Sequence, residues 1–150
     1  MKILDASNAL KNNYQINKPD RDLVFHWTGA GSIDSIINWF STRLNGKGTV
    51  GYNYIIDANG DVYKLCPINA WFHNTGKGTN FDSGTISIAF LSAGTYPTPS
   101  QIKSCKILLQ TEIESSVNIV HYYCHSELCD HKIDFPADYW RKLKHALDIC

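Results

Sequence analysis

The chain has 150 residues, enough for one domain with a full hydrophobic core and too few for two comfortable ones. Its 14 basic residues equal its 14 acidic residues in number, so no global field draws it to nucleic acid or to an anionic membrane. We therefore expect a single domain over residues 1–150, with neither a nucleic-acid partner nor membrane insertion, and we expect it to be a monomer.

The cysteine content and the N-terminus bear on the cellular compartment. The five cysteines form an odd set without the spacing of a small disulfide scaffold, and we expect them to be reduced thiols. Residues 1–20 contain no apolar stretch of signal-peptide length, and no later segment approaches a membrane span. The sequence thus indicates synthesis in the cytoplasm without a secretion signal.

The first third of the chain predicts one strand and one helix. Residues 1–21 are polar and rich in asparagine, so they are predicted to form a lead-in loop ahead of a core over residues 22–150. Residues 23–27 are an apolar run typical of a buried strand. Ser32 fits a helix N-cap, and an apolar face then predicts a helix that ends near residues 44–46. That face consists of Ile33, Ile36, Ile37 and Phe40.

The middle of the chain predicts strands and an exposed loop. Residues 50–56 and 62–65 flank the turn sequence at residues 57–61, which is typical of a hairpin. Small polar residues dominate residues 74–84, which predicts an exposed loop at the rim of a cleft. Residues 85–91 are the most apolar strand candidate, and we expect them at the centre of the sheet.

The last third predicts two helices around one strand. Thr98 and Gln101 have the spacing of a capping box, with Pro99 at the first helical position, and the apolar period continues to Ile113. Residues 117–123 predict a strand. The chain is predicted to end in an amphipathic helix over residues 139–150. Strands and helices follow one another along the whole chain, so the predicted class is α/β.

Residues 122–136 concentrate side chains that bind metals. They include two histidines, two cysteines, three carboxylates and one lysine. We interpret His125 and Asp134 as zinc ligands and Lys132 as a charged group directed at the same pocket. The third ligand must come from elsewhere, and His26 at the end of the first apolar run is the best candidate. Two histidines and a carboxylate suit catalytic zinc, which keeps a fourth position open and lowers the pKa of water to about 7.

Other roles for these side chains remain open. Cys124, Cys129 and His131 could form a closed structural zinc site together with His125. Structural sites usually pair two short ligand clusters, and this chain has one, so we favour buried cysteines instead. Taken alone, His26 and His125 would be better interpreted as packed structural histidines, and their place among the other candidate residues is what favours ligands. We expect His121 to be packed. We expect His131 and His145 to be solvated.

Several motifs along the chain carry a family resemblance. In order they are His26-Trp27-Thr28, Gly51-Tyr52-Asn53-Tyr54-Ile55-Ile56 and a turn, His73, the strand at 85–91, the Thr-Pro-x-Gln helix, His125-Ser126-Glu127 and Lys132-Ile133-Asp134. This order resembles the zinc-dependent N-acetylmuramoyl-L-alanine amidases, which include phage T7-type lysozyme and the peptidoglycan recognition proteins. The resemblance covers residues 22–142. It implies a central mixed β-sheet flanked by about three helices, with one zinc in a surface groove.

The resemblance also implies roles for single residues. His26, His125 and Asp134 match the metal ligands of the family, while Tyr52 and Lys132 match the catalytic tyrosine and lysine of its T7-like branch. A lysine cation suits the negative charge that develops on the amide oxygen during attack by water. A tyrosine hydroxyl can hydrogen-bond the attacking water and help to move its proton. The default alternative for Tyr52 is a core aromatic.

Further positions concern the substrate and two departures from the family. We expect His73, Trp27 and Thr28 to contact substrate, with a plain loop histidine as the alternative for His73. Ala89 stands where some amidases of the family carry a glutamate, which excludes the glutamate-dependent variant. Phe135-Pro136 stands where many relatives have Pro-Gly after the aspartate.

The function that the resemblance implies is hydrolysis of the amide between N-acetylmuramic acid and L-alanine of the stem peptide, as in an endolysin. The partner is then peptidoglycan or a muropeptide, and the cofactor is Zn²⁺. The alternative is a recognition module that binds the muropeptide without cleaving it. Because a signal peptide is not evident, we expect action on the cell wall after release or export, or on cytosolic muropeptides. A phage lysin, an exported toxin and a muropeptide-recycling enzyme all fit.

Overall fold

The computed structural model describes residues 1–10, 14–16, 22–29, 31–42, 50–72, 74–92 and 94–149. A six-stranded sheet lies at its centre. The strands of this sheet are β1 (Ile3–Asp5), β3 (Asp22–Trp27), β4 (Tyr54–Ile56), β5 (Val62–Lys64), β7 (Thr85–Phe90) and β8 (His121–Cys124). A separate antiparallel pair joins β2 (Gln15–Ile16) to β6 (Ala70–Trp71).

The six-stranded sheet is mixed, as predicted, and its strand order is β1-β5-β4-β7-β3-β8. Only β4 and β5 run antiparallel to each other within it, while its other neighbouring strands are parallel. The turn between β4 and β5 is closed by Asp57, whose Oδ1 accepts hydrogen bonds from the backbone N–H groups of Asn59 and Asp61 over 3.0 and 2.9 Å. The predicted hairpin is therefore confirmed, and β7 lies centrally as expected.

The predicted number of about three flanking helices matches the three longer helices of the described chain. These are α1 (Ile33–Thr42), α3 (Pro99–Leu108) and α5 (Ala137–Leu147), and single turns form α2 (Thr79–Asp82) and α4 (His125–Leu128). A 3-10 turn covers Ser7–Ala9, and a π-helical segment, Leu109–Ile113, continues α3. Each described helix is too short or too polar to cross a lipid bilayer.

Helices cover both faces of the sheet. Helix α1 buries Ile33, Ile36 and Phe40 in one apolar cluster that also contains Ile55 and Ala89. Helices α3 and α5 pack against the other face, in a cluster that includes Phe25, Ile88, Leu108, Trp140 and Leu143. Since side chains alternate along a strand, Phe25 and Trp27 of β3 face α3 and α5, and His26 between them faces the side of α1.

The capping box of α3 forms as predicted. The backbone N–H of Gln101 donates to Thr98 Oγ1 over 3.1 Å, and the backbone N–H of Thr98 donates to Gln101 Oε1 over 2.9 Å. Such a cap stabilises a helix by about 1 kcal/mol. The Gln101 amide also donates to the carbonyl of Ile56 over 2.9 Å, which ties the start of α3 to the sheet.

Several predicted boundaries differ from the structure. Residues 1–21 are not a loop throughout, because Ile3–Asp5 pair in parallel with Val62–Lys64 and form the edge strand β1. The last strand covers His121–Cys124 rather than residues 117–123, and the last helix begins at Ala137. The predicted end of the first helix, at residues 44–46, lies outside the described residues.

His121 also differs from its prediction. Its side chain is exposed rather than packed, and its Nδ1 lies 2.9 Å from Asp22 Oδ1. The reason is that β8 is an edge strand and His121 is its first residue, so neighbouring elements leave this side chain accessible to solvent.

Candidate active site

The register of two parallel strands brings two histidines together. Strands β3 and β8 pair so that Phe25 lies opposite Cys124, and a histidine follows each of these two residues: His26 within β3 and His125 at the start of α4. His26 and His125 therefore leave the sheet at the same edge, at the carboxyl ends of adjacent strands. Their Nδ1 atoms lie 3.1 Å apart, and both residues are buried.

Asp134 completes a group of three converging side chains. Its Oδ2 lies 3.3 Å from His125 Nδ1 and 3.8 Å from His26 Nδ1. Atoms bound to one tetrahedral zinc at about 2.0–2.2 Å lie about 3.4 Å from one another, so the observed spacings suit such an ion. In the described part of the chain, this is the one group of three or more histidine, cysteine or carboxylate side chains placed to hold a metal.

The alternative zinc site is wrong. Cys124, Cys129 and His131 are all described, and they do not converge on a common point. Cys124 is buried, with its sulfur 3.2 Å from the hydroxyl of Ser126, while His131 is exposed. The four cysteines within the described residues are free thiols, as expected; Cys150 lies outside them.

Burial sets the protonation of the candidate ligands. Burial, together with the neighbouring His125, lowers the pKa of His26 to about 3. The Nε2 atom of His26 is buried without a hydrogen-bond partner among the described residues, so a charged ring would be doubly unfavourable. Burial alone would raise the pKa of Asp134, but its hydrogen bonds with His125 and with the backbone N–H of Trp27 hold that pKa below its usual range. A neutral imidazole and a carboxylate are the forms that bind metals.

The segment after Asp134 is anchored by an aromatic ring. Phe135 has a backbone φ of 57°, in the left-handed region that costs a non-glycine residue about 1–2 kcal/mol. Its ring is fully buried, with centroids 4.8 Å from that of Trp27 and 5.9 Å from that of Phe90. Burial of an aromatic ring offsets that strain. The departure from Pro-Gly thus places a hydrophobic anchor directly beside Asp134.

Tyr52 lies beside the three candidate ligands. Its ring centroid is 5.2 Å from that of His26 and 5.8 Å from that of Phe40. Its hydroxyl donates a long hydrogen bond of 3.4 Å to the carbonyl of Trp27. Burial, with a smaller effect of Asp134, raises the pKa of Tyr52 to about 12, so the hydroxyl keeps its proton at neutral pH.

A groove of about 510 Å³ opens onto this group. It is lined by His26 and His125, by Trp39, Phe40, Gly51 and Tyr52, by Asn74, Gly76, Gly78 and Asp82, and by Cys129 and Lys132. Lys132 is exposed, and its backbone N–H donates to the carbonyl of Cys129 over 3.0 Å. The predicted polar loop does rim a cleft, and part of it folds into α2.

Two of the three residues predicted to contact substrate, Trp27 and Thr28, do not line the groove. The Trp27 side chain is buried against Phe135 and Tyr139, away from the groove, because it points to the opposite face of the sheet from His26. That position contradicts the predicted contact of its indole with substrate. Thr28 does not line the groove, and its hydroxyl donates to the carbonyl of Gly29 over 3.1 Å. His73 lies outside the described residues.

Sequence reasoning missed several groove residues. Trp39 lines the groove and is 52% exposed. Its position off the apolar face of the predicted helix could have identified it from the sequence. Asn74 donates from Nδ2 to the hydroxyl of Ser87 over 2.5 Å, which anchors the start of the loop. The carboxylate of Asp82 accepts hydrogen bonds from the backbone N–H and the hydroxyl of Thr75 and so closes that loop.

Comparison with protein families finds one that matches most of the chain. The family model of the N-acetylmuramoyl-L-alanine amidases matches residues 16–138. No curated protein sequence matches the chain significantly.

Solved structures with the same fold cover almost the whole chain. The amidase LysC from Clostridium intestinale URNW superposes with a TM-score of 0.79 at 19% identity, over 100% of this chain and 99% of its own. The Ph2119 endolysin from the Thermus scotoductus MAT2119 bacteriophage Ph2119 gives 0.70 at 21% identity, over 97% and 98%. The Drosophila peptidoglycan recognition protein PGRP-LB gives 0.74 at 13% identity, over 95% and 92%. Identities this low establish the shared fold alone.

Proposed function

Because the chain belongs to the N-acetylmuramoyl-L-alanine amidase family, we propose that it is a zinc-dependent, endolysin-like enzyme that cleaves peptidoglycan. The bond cleaved is the amide between N-acetylmuramic acid and L-alanine of the stem peptide. The observation that carries this proposal is the convergence of His26, His125 and Asp134 at a groove, with ligand atoms within 4.8 Å of one another.

In this proposal, His26, His125 and Asp134 hold the zinc. A zinc ion at this position supplies Lewis acidity, which activates water and polarises the amide carbonyl. The chain's own contribution is to keep His26 neutral by burial and to keep Asp134 ionised, so that all three side chains present lone pairs to one point. The backbone N–H of Trp27, which donates to Asp134 Oδ2 over 3.2 Å, orients the carboxylate.

The proposal assigns Tyr52 to hydrogen-bond the attacking water and to help transfer its proton. Its hydroxyl is protonated at neutral pH, and its present hydrogen bond to the carbonyl of Trp27 is long, so that little is lost when it turns to a molecule in the groove. From Oη it donates to, or accepts from, the water that attacks the amide. Ala89, which is in register with His26, offers no carboxylate for this task, so the proposal assigns it to Tyr52.

Lys132 stabilises charge. Its side chain is exposed and lines the same groove as the two histidines. When water attacks the amide, negative charge develops on the carbonyl oxygen, and a nearby ammonium group lowers the energy of that state. A bound substrate strengthens this effect, since it displaces water from the groove.

The test is a digestion of purified peptidoglycan by the zinc-loaded protein, followed by mass analysis of the products. We expect free stem peptides with an L-alanine amino-terminus and glycan chains with free lactyl carboxyl groups, each bond broken adding one water. Chelator treatment and the His125→Ala variant should abolish release, and added zinc should restore it only to the chelated wild type. Tight binding of muropeptide without release would instead identify a recognition module.

A further inference from the structure

The groove has two chemically different walls. One, the aromatic wall, comes from α1 and the segment before β4 and consists of Trp39, Phe40, Gly51 and Tyr52. The other, the polar wall, comes from the loop before β7 and the segment after α4 and includes Asn74, Asp82, Cys129 and Lys132. A substrate with one apolar part and one polar part would find a matching surface for each.

The aromatic wall is a continuous row of rings that ends at the candidate metal ligands. Ring centroids are 5.2 Å apart between Trp39 and Phe40, 5.8 Å between Phe40 and Tyr52, and 5.2 Å between Tyr52 and His26. Phe40 is 2% exposed, whereas Trp39 is 52% exposed. Of these two rings of α1, Trp39 is thus the one that is accessible to a bound molecule.

Gly51 leaves room for the Phe40 ring within this wall. Its φ is 88°, and a Cβ at this position would lie 2.8 Å from Cζ of Phe40. A side chain there would displace the Phe40 ring and interrupt the row. The continuity of the row of rings therefore depends on a glycine at position 51.

The polar wall offers partners for peptide groups. Asn74 lines this wall, and its buried side-chain oxygen has no donor among the described residues, so an amide N–H of a stem peptide that reached this oxygen would satisfy it. Lys132 lies on the same wall, where its ammonium serves the carbonyl oxygen of the amide in the proposed reaction.

We propose that Trp39 is a specificity-determining residue that stacks on the pyranose ring of the muramic acid, while the stem peptide lies along the polar wall. The inference rests on the proposed function, because the amide to be cleaved joins a sugar, through its lactyl group, to a peptide. One face of a pyranose ring presents C–H groups with a small positive charge, and an indole face carries a negative quadrupole. Amide and carboxylate groups would lose hydrogen bonds against the aromatic wall.

The test uses the two halves of the substrate, neither of which can be cleaved. Binding of N-acetylmuramic acid and of the stem tripeptide to the zinc-loaded protein is measured separately by calorimetry. Trp39→Ala should weaken binding of the sugar by about tenfold and change binding of the peptide less than twofold. Trp39→Phe should retain part of the sugar affinity. Val120→Ala removes a comparably exposed apolar side chain outside the groove and should change neither.

Four results would overturn the assignment. They are no binding of the sugar by the wild type, unchanged sugar binding in Trp39→Ala, equal losses for sugar and peptide in that variant, or a loss confined to the peptide. Peptidoglycan cleavage is measured in parallel so that the two proposals can fail separately. If the wild type cleaves peptidoglycan but Trp39→Ala binds the sugar as tightly as the wild type does, only the stacking role is refuted. If Trp39→Ala loses affinity for the sugar but the wild type does not cleave peptidoglycan, only the proposed amidase activity is refuted.

Discussion

The backbone N–H of Trp27 donates a hydrogen bond of 3.2 Å to Asp134 Oδ2, so the residue that follows one candidate ligand holds another in place. His26 and Trp27 end the same strand, β3. Their side chains point to opposite faces of the sheet, but the backbone of Trp27 remains at the edge where the ligands meet. Asp134 is thus positioned by the sheet itself as well as by its own loop.

The first prediction concerns metal content. The purified wild type should contain about one zinc per chain. His26→Ala, His125→Ala and Asp134→Ala should each lose it, because three protein ligands are the usual minimum for such a site. Asp134→Cys is the matched control, since a thiolate is also a zinc ligand, and it should retain metal. Elemental analysis after dialysis measures the outcome, and full retention in all three alanine variants would refute the assignment.

The second prediction concerns Tyr52. Tyr52→Phe deletes only a hydroxyl whose hydrogen bond to the carbonyl of Trp27 is 3.4 Å long, so zinc content and melting temperature should stay close to wild type. If the hydroxyl acts in the transition state, kcat should fall on the order of 10²-fold with a modest change in KM. Steady-state kinetics on a soluble muropeptide measure this. A variant with wild-type kcat would show that Tyr52 lines the groove without taking part in the reaction.

The third prediction concerns the charge at Lys132. Lys132→Ala should keep zinc and fold, because the side chain is exposed, and should lower kcat on the order of 10²-fold. Lys132→Arg keeps the charge with a different shape and should recover part of the rate. Equal rates for Lys132→Ala and wild type would leave no role for the cation in the reaction.

The fourth prediction concerns the pH dependence of stability in the metal-free protein. Folding lowers the pKa of His26 from 6.5 to about 3, so between these values the unfolded chain binds a proton that the folded chain does not. The free energy of unfolding should therefore fall with falling pH in this window, by up to about 1.4 kcal/mol per pH unit from this residue. Urea titrations at several pH values measure the slope.

His26→Gln is the control for that slope. It removes the titrating group, and the fall in stability below pH 6.5 should become shallower. Zinc binding to the wild type should raise stability, since the ion binds the folded chain, and should steepen the fall of stability with falling pH, because protons compete with the ion for its ligands. An identical slope in the variant would show that other groups account for the acid sensitivity.

The fifth prediction concerns Phe135. Phe135→Ala should destabilise the fold by about 3–5 kcal/mol, because it empties a fully buried position between Trp27 and Phe90. Phe135→Gly removes the same ring but relieves the left-handed backbone, so it should be about 1 kcal/mol more stable than the alanine variant. Chemical denaturation compares the two. Alanine as the more stable replacement would argue against backbone strain at this residue.

Much of the site could be anticipated from strand ends. His26 lies near the end of β3 and His125 directly follows β8, and parallel neighbours bring such ends together. The indole of Trp27 lies away from the groove although Trp27 follows His26 in sequence, because alternation along β3 points their side chains to opposite faces of the sheet. Trp39 was missed because the apolar period of α1 accounts for the core and says nothing about a ring on its exposed face.

The short edge strand illustrates a different limit. Ile3–Asp5 have only three residues, two of them exposed, so they carry no alternating pattern of useful length. Their pairing with Val62–Lys64 depends on a partner about sixty residues away, and local sequence does not report such pairing. The π-helical continuation of α3 at Leu109–Ile113 is likewise invisible to an apolar period that fits an ordinary helix.

The edge position of β8 has a consequence for local opening of the fold. This strand is held to the sheet through β3 alone, so its outer backbone groups have no partner strand among the described residues. An ion bound by His26 and His125 would clamp this ladder at its carboxyl end and close a loop between residues far apart in the chain. Hydrogen exchange of the β8 amides would then slow on metal binding, and chelation would let this edge fray first.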